Sequence, residues 1–75
     1  DYISEKIGRH HQVLGIHDLI VHDYGPGRRY VSAHVEMPGD EDPLVTHEII
    51  DSIERRFLEE DHIHLIIHYD PVPRE

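Results

Sequence analysis

The stretch Ile63-His64-Leu65-Ile66-Ile67-His68-Tyr69-Asp70-Pro71 constrains the fold more than any other. Read as a β-strand, it sends alternate side chains to opposite faces of a sheet. Ile63, Leu65 and Ile67 then share one face and demand a core. His64, Ile66, His68 and Asp70 share the other. An imidazole and a carboxylate thus project from one side, two residues apart, and both bind first-row metals. Pro71 lacks a backbone donor and is expected to end the strand. The remainder of the chain must supply this strand with neighbours, a cover, and further ligands.

The other elements follow from periodicity and punctuation. Asp1 to about His11 reads as a helix, with Ile3 and Ile7 on one stripe and Glu5 and Lys6 facing water. His10 and His11 fall in its last turn, where positive charge suits the helix dipole. Ile16 to Tyr24 reads as the first strand, with Leu19 and Val21 on one face and Ile20 and His22 on the other. Gly25-Pro26-Gly27 is a turn signal. Arg28 to Met37 follows as the second strand, placing Val31, Ala33, Val35 and Met37 on the core face. Tyr30, Ser32, His34 and Glu36 take the open face. After a polar loop, Asp42-Pro43 supplies a helix cap and a first-turn proline. That helix runs to about Glu59, burying Val45, Ile49 or Ile50, Ile53 and Phe57. Glu48, Asp51, Glu54 and Arg55 lie outside. Val72 to Glu75 reads as a tail.

The order helix, strand, strand, helix, strand predicts a single α+β domain over residues 1–75. A right-handed crossover joins the second and third strands. The expected architecture is a three-stranded mixed sheet in the order first, second, third, with both helices on one face. His34 and His68 then run toward the same sheet end as Asp70. The antiparallel first strand begins there with His17 and Asp18, and the second helix begins there with His47. Neighbouring strands are about 4.8 Å apart, so His34 and His68 are within reach of one ion at about 2.0–2.1 Å per bond. His22, His62 and His64 read as surface residues, although His22 and His64 share the open face.

Composition narrows the chemistry. Nine histidines are spread through 75 residues, and sixteen acids against seven bases give a formal charge of −9. That balance favours cations and argues against nucleic acid and anionic lipid surfaces. The absence of cysteine removes thiolate ligands and nucleophiles. Nitrogen and oxygen donors suit Zn2+ best, with Cd2+, Ni2+, Fe2+ and Mn2+ also compatible. Affinity is expected to fall below about pH 6, where imidazole takes up protons. A chain of this length buries only about 60–65% of its unfolded surface, so metal or a second subunit is expected to help it fold. The open face, with Ile20, Tyr30 and Ile66, points to a homodimer. No run is apolar enough to span a membrane.

Five segments fall in a telling order: Gly15-Ile16-His17-Asp18-Leu19, Val35-Glu36 with its acidic loop, Thr46-His47-Glu48-Ile49, Asp51-x-Ile53-Glu54 and Ile67-His68-Tyr69-Asp70-Pro71. Together they resemble the cytoplasmic C-terminal domain of cation diffusion facilitator transporters, from about Val13 to Val72. The resemblance implies a metallochaperone-like (ferredoxin-like) fold that pairs with its twin and binds zinc near the dimer interface. Binding would tighten the pair and tune transport by a preceding membrane domain, with this domain on the cytoplasmic face of the membrane. The family's ligand positions correspond to His17, His34, His47, His68 and Asp70. Under this reading the chain is part of a longer transporter and moves no ions by itself.

The alternative is a free-standing metallochaperone or metal buffer using the same residues. A small-ligand regulatory domain with structural histidines is a further reading. An enzyme is disfavoured: Glu36 or Asp18 is a conceivable base, but no nucleophile motif or enclosed pocket is foreseen.

Overall fold

The computed structural model describes residues 1–73. Its elements are α1 (Tyr2–Gly8), β1 (Gly15–Asp23), β2 (Arg29–Pro38), α2 (Pro43–Asp61) and β3 (Ile63–Val72). The sheet order is β1-β2-β3. β1 pairs with β2 antiparallel and β2 with β3 parallel, as expected.

One face of this sheet makes the core. Val31, Ala33, Val35 and Met37 of β2 and Ile63 and Leu65 of β3 pack with Ile53 and Phe57 of α2 and Ile3 and Ile7 of α1. The second helix starts where its cap requires: the Asp42 side chain accepts the Leu44 N–H at 2.8 Å, with Pro43 in the first turn. Its buried stripe begins at Thr46, however, and Val45 is exposed. Thr46 lies one residue further round the helix, on the same side as Ile50, Ile53 and Phe57. The turn over Gly25-Pro26-Gly27 closes with Tyr24 donating to the Arg28 carbonyl at 3.0 Å. Both glycines there have positive φ, which a side chain would strain.

Beyond Val45, four further expectations need correction. Helix α1 stops at Gly8, so His10 and His11 lie beyond it, stacked at 4.8 Å in the following turn. Glycine's poor helix propensity ends the element early. β3 continues through Pro71 to Val72. An edge strand tolerates proline because the missing N–H faces away from its neighbour, and Gly39 donates to the Val72 carbonyl at 2.8 Å. The tail reading therefore fails at Val72, and residues 74 and 75 lie outside the described residues. Glu54 turns back to the sheet, its carboxylate accepting the Ile67 N–H at 2.9 Å.

Lys6 is the fourth. It is buried, 8% exposed, instead of facing water. Its Nζ donates to Glu60 at 2.7 Å and Asp61 at 2.5 Å, and to the Tyr2 hydroxyl at 3.3 Å. The ammonium also lies 4.8 Å from the Phe57 ring centroid. Burial works against its charge, but the hydrogen bonds to Asp61, Glu60 and Tyr2 outweigh that and raise its pKa. Burial likewise opposes the Asp61 charge, and the bonds from Lys6 and Tyr2 override it, lowering that carboxyl.

Candidate metal centre

No helix covers the other face of the sheet, so its side chains are ordered by register alone. Pairing sets them in four rows: Gly15, Glu36 and Asp70; His17, His34 and His68; Ile20, Ser32 and Ile66; His22, Tyr30 and His64. A regular first strand could not give this arrangement. Residues 17 and 20 differ in parity and would face opposite sides. The register shift between His17 and Ile20 resolves it, because three steps on β1 oppose two on β2. This is a β-bulge, and Asp18 sits in it with φ 53°. Asp18 occupies a left-handed conformation that aspartate tolerates better than most residues. The bulge turns His17 to the open face while Leu19 still packs against the core.

The bulge makes Asp18 a positioning residue with a testable signature. Asp18→Gly is expected to keep stability and the placement of His17. Asp18→Val forces a β-branched residue to positive φ and is expected to cost about 1–2 kcal/mol. Urea unfolding of the two variants measures the difference; equal stabilities would refute the role assigned to the bulge.

His17, His34 and Asp70 converge. Their ligating atoms all lie within 4.8 Å of one another. His17 Nε2 donates to Asp70 Oδ2 at 2.7 Å, and His34 Nδ1 lies 3.3 Å from both Asp70 oxygens. A carboxylate can only accept, so both contacting ring nitrogens carry their protons in this arrangement. An ion would take those protons' places. All three side chains are partly exposed, so an ion has a route in from solvent. The donor set of two imidazoles and one carboxylate suits a borderline divalent cation such as zinc.

The other two expected ligands stand differently. His68 is in the same row, but its ring stacks on His34 at 4.8 Å and 14°. Its nitrogens do not join the converging group, and it would have to turn to do so. His47 is not brought to this cluster. It is well exposed on α2, with Nε2 3.1 Å from Asp51 one turn on. It borders a groove of about 430 Å3 whose lining includes Gly39, Thr46, Ile50, Tyr69 and Pro71. Tyr69, the residue between His68 and Asp70, donates its hydroxyl to the Pro38 carbonyl at 3.0 Å. Among the described residues, no other set of three potential ligands converges.

Residues 1–72 match the family model for the cytoplasmic domain of cation efflux proteins. The chain belongs to this family. No curated protein matches the sequence. Solved structures of similar fold include CzrB in a zinc form, at 25% identity and TM-score 0.73, covering 93% of this chain and 76% of that one. Another is the cytosolic domain of a cation diffusion facilitator family protein, at 23% identity and TM-score 0.82, covering 96% of this chain and 87% of that one. A third is the metal-bound C-terminal domain of the CzcD transporter from Thermotoga maritima, at 21% identity and TM-score 0.79, with coverages of 92% and 81%. As a cation efflux cytoplasmic domain, the chain has the expected α+β architecture, and none of its described helices is long and apolar enough to cross a membrane.

Proposed function

We propose that this domain is the zinc-responsive dimerisation module of a cation diffusion facilitator transporter, lying on the cytoplasmic face of the membrane and continuous with a membrane domain upstream. The observation that carries the reading is the convergence of His17, His34 and Asp70 on the uncovered sheet face. His68 would complete the set by turning away from His34. His47 would reach an ion bound by the partner copy, or hold a second one, because its helix packs on the opposite, core face of the sheet.

Two features support pairing through the open face. Ile20 and Ile66 flank Ser32 there, each at least half exposed. The outer edge of β3 is blocked by Glu54 and Pro71, so strand addition at that edge is disfavoured. The metal end also gathers acids: Glu36, Asp40, Glu41, Asp42 and Asp70. Their mutual repulsion would hold two copies apart at this end, and a divalent cation would relieve it. Zinc would bias this opening only by its differential affinity for the closed pair.

Spin labels on α2 of each copy test the mechanism. Added zinc is expected to shorten the distance between labels in the wild-type chain and to do so less in His47→Ala. Zinc that binds to saturation with an unchanged distance distribution would refute regulation by closure.

A further inference from the structure

The overall charge of −9 disfavours anionic partners, yet the fold does not distribute its cations evenly. Of seven lysines and arginines in the chain, four line one groove between the end of α1 and the outer surface of α2: Lys6, Arg9, Arg55 and Arg56. His10 and His11 border it as well, and its volume is about 620 Å3. The groove lies apart from the converging ligands on the open sheet face; none of His17, His34, His68 or Asp70 lines it.

The pairing within the groove is uneven. Lys6 is satisfied by Glu60 and Asp61. Arg56 shares Glu60 at 3.6 Å. Arg9 and Arg55 have no carboxylate within ion-pair distance among the described residues, although Glu59 also borders the groove. Among the described residues, two guanidinium forks without an ion-pair partner stand beside the single carboxylate of Glu59, which leaves the lining positively charged. His10 adds a directed donor. Its Nδ1 accepts the Gln12 N–H at 3.1 Å, so the neutral ring carries its proton on Nε2.

We propose that this groove binds a phosphate-bearing anion, with Arg9 and Arg55 as its principal contacts and His10 and His11 at its rim. Arginine forks match phosphate oxygens in pairs. The groove is wide enough for a diphosphate or a lipid headgroup and is lined by too many charged groups to suit an apolar ligand. Binding would also change His10. Burial and, secondarily, the charge of His11 hold its pKa below the ordinary value in the free protein. An anion beside it would favour the protonated ring and move that pKa back up. The charged and titratable groups that face His10 around the groove are Lys6, Arg9, His11, Arg55, Arg56, Glu59 and Glu60.

The test is a titration of the chain with inorganic pyrophosphate, followed by the ring-proton NMR signals of its histidines. Saturable shifts are expected at His10 and His11, with His17 and His34 unmoved. The His10 titration midpoint is expected to rise. Arg9→Ala combined with Arg55→Ala is expected to weaken binding at least ~10-fold, and Arg-to-Lys exchange at both positions less than that. In a second arm, phosphatidylcholine vesicles with and without phosphatidylglycerol are sedimented with the protein. Retention only on the anionic vesicles identifies the lipid headgroup as the source; pyrophosphate binding without retention identifies a soluble phosphate. The proposal is overturned if neither probe binds saturably, or if the shifts centre on His17 and His34. Equal binding by the double alanine variant would also overturn it. The wild-type shifts decide the matter even if that variant folds poorly. The outcome is independent of zinc binding.

Discussion

Saturating zinc near neutral pH is expected to raise the melting temperature by roughly 10–20 °C. A ligand that binds only the folded state stabilises it by RT ln(1 + [L]/Kd), about 2.7 kcal/mol at a hundredfold excess over Kd. In a domain of this size each kcal/mol moves the midpoint by roughly 4–8 °C. The expectation rests on the proposed site, where Asp70 faces both His17 and His34. Asp70→Ala removes the shared carboxylate and is expected to abolish most of the shift. His64→Ala, three rows from Asp70 and beside Tyr30, is expected to leave it intact. Differential scanning fluorimetry with and without zinc distinguishes the two. An equal shift in Asp70→Ala and wild type would place the ion elsewhere.

The second large effect concerns stability without metal. Asp61→Ala is expected to cost about 2 kcal/mol, because it leaves the buried Lys6 ammonium with one carboxylate in place of two. Lys6→Met keeps the aliphatic volume beside Phe57 and removes the charge, so it is expected to be close to neutral. The pH profile follows from the same contacts. Asp61 is lowered from 3.8, so its contribution is present above that value and is lost as pH falls below it. Lys6 is raised from 10.5, so its contribution is present below that value and is lost at still higher pH. His10 is lowered from 6.5; the unfolded chain takes up its proton first, and stability declines as pH falls below 6.5. Urea midpoints are expected to be flat between about 6.5 and 10.5 and to fall on both sides. A wild-type profile with no loss at either extreme, or Lys6→Met as damaging as Asp61→Ala, would contradict this account.

Much of the fold was legible because its signals are local. The alternation of Val31, Ala33, Val35 and Met37, the glycines around Pro26 and the Asp42-Pro43 cap each act within a few residues. His34 and Asp70 were legible because a parallel register follows once the strands are placed. What was not legible depends on distant or unusual partners. Lys6 looks exposed by periodicity, but Glu60 and Asp61 lie more than fifty positions away. Glu54 looks like solvent-facing helix surface until β3 returns beneath it. Strict alternation in β1 puts His17 on the same side as Leu19 and Val21; only a bulge at a non-glycine residue separates them, and Asp18 carries no glycine to announce it. His47 follows from sequence as a neighbour of the sheet end, yet its side chain is engaged with Asp51 on the helix surface.

The parallel pairing of β2 with β3 has a kinetic corollary. β1 and β2 meet across a short turn, so the His17–His34 pair closes a small loop. Asp70 reaches them only after the chain has formed α2 and returned; its contact with His34 spans 36 positions. Closing that longer loop costs more chain entropy, so β3 is expected to dock after the hairpin. An ion held by His17, His34 and Asp70 would clasp the late-arriving strand to the early pair. Its effect would fall mainly on the rate at which the chain comes apart, with little change in the rate at which it assembles.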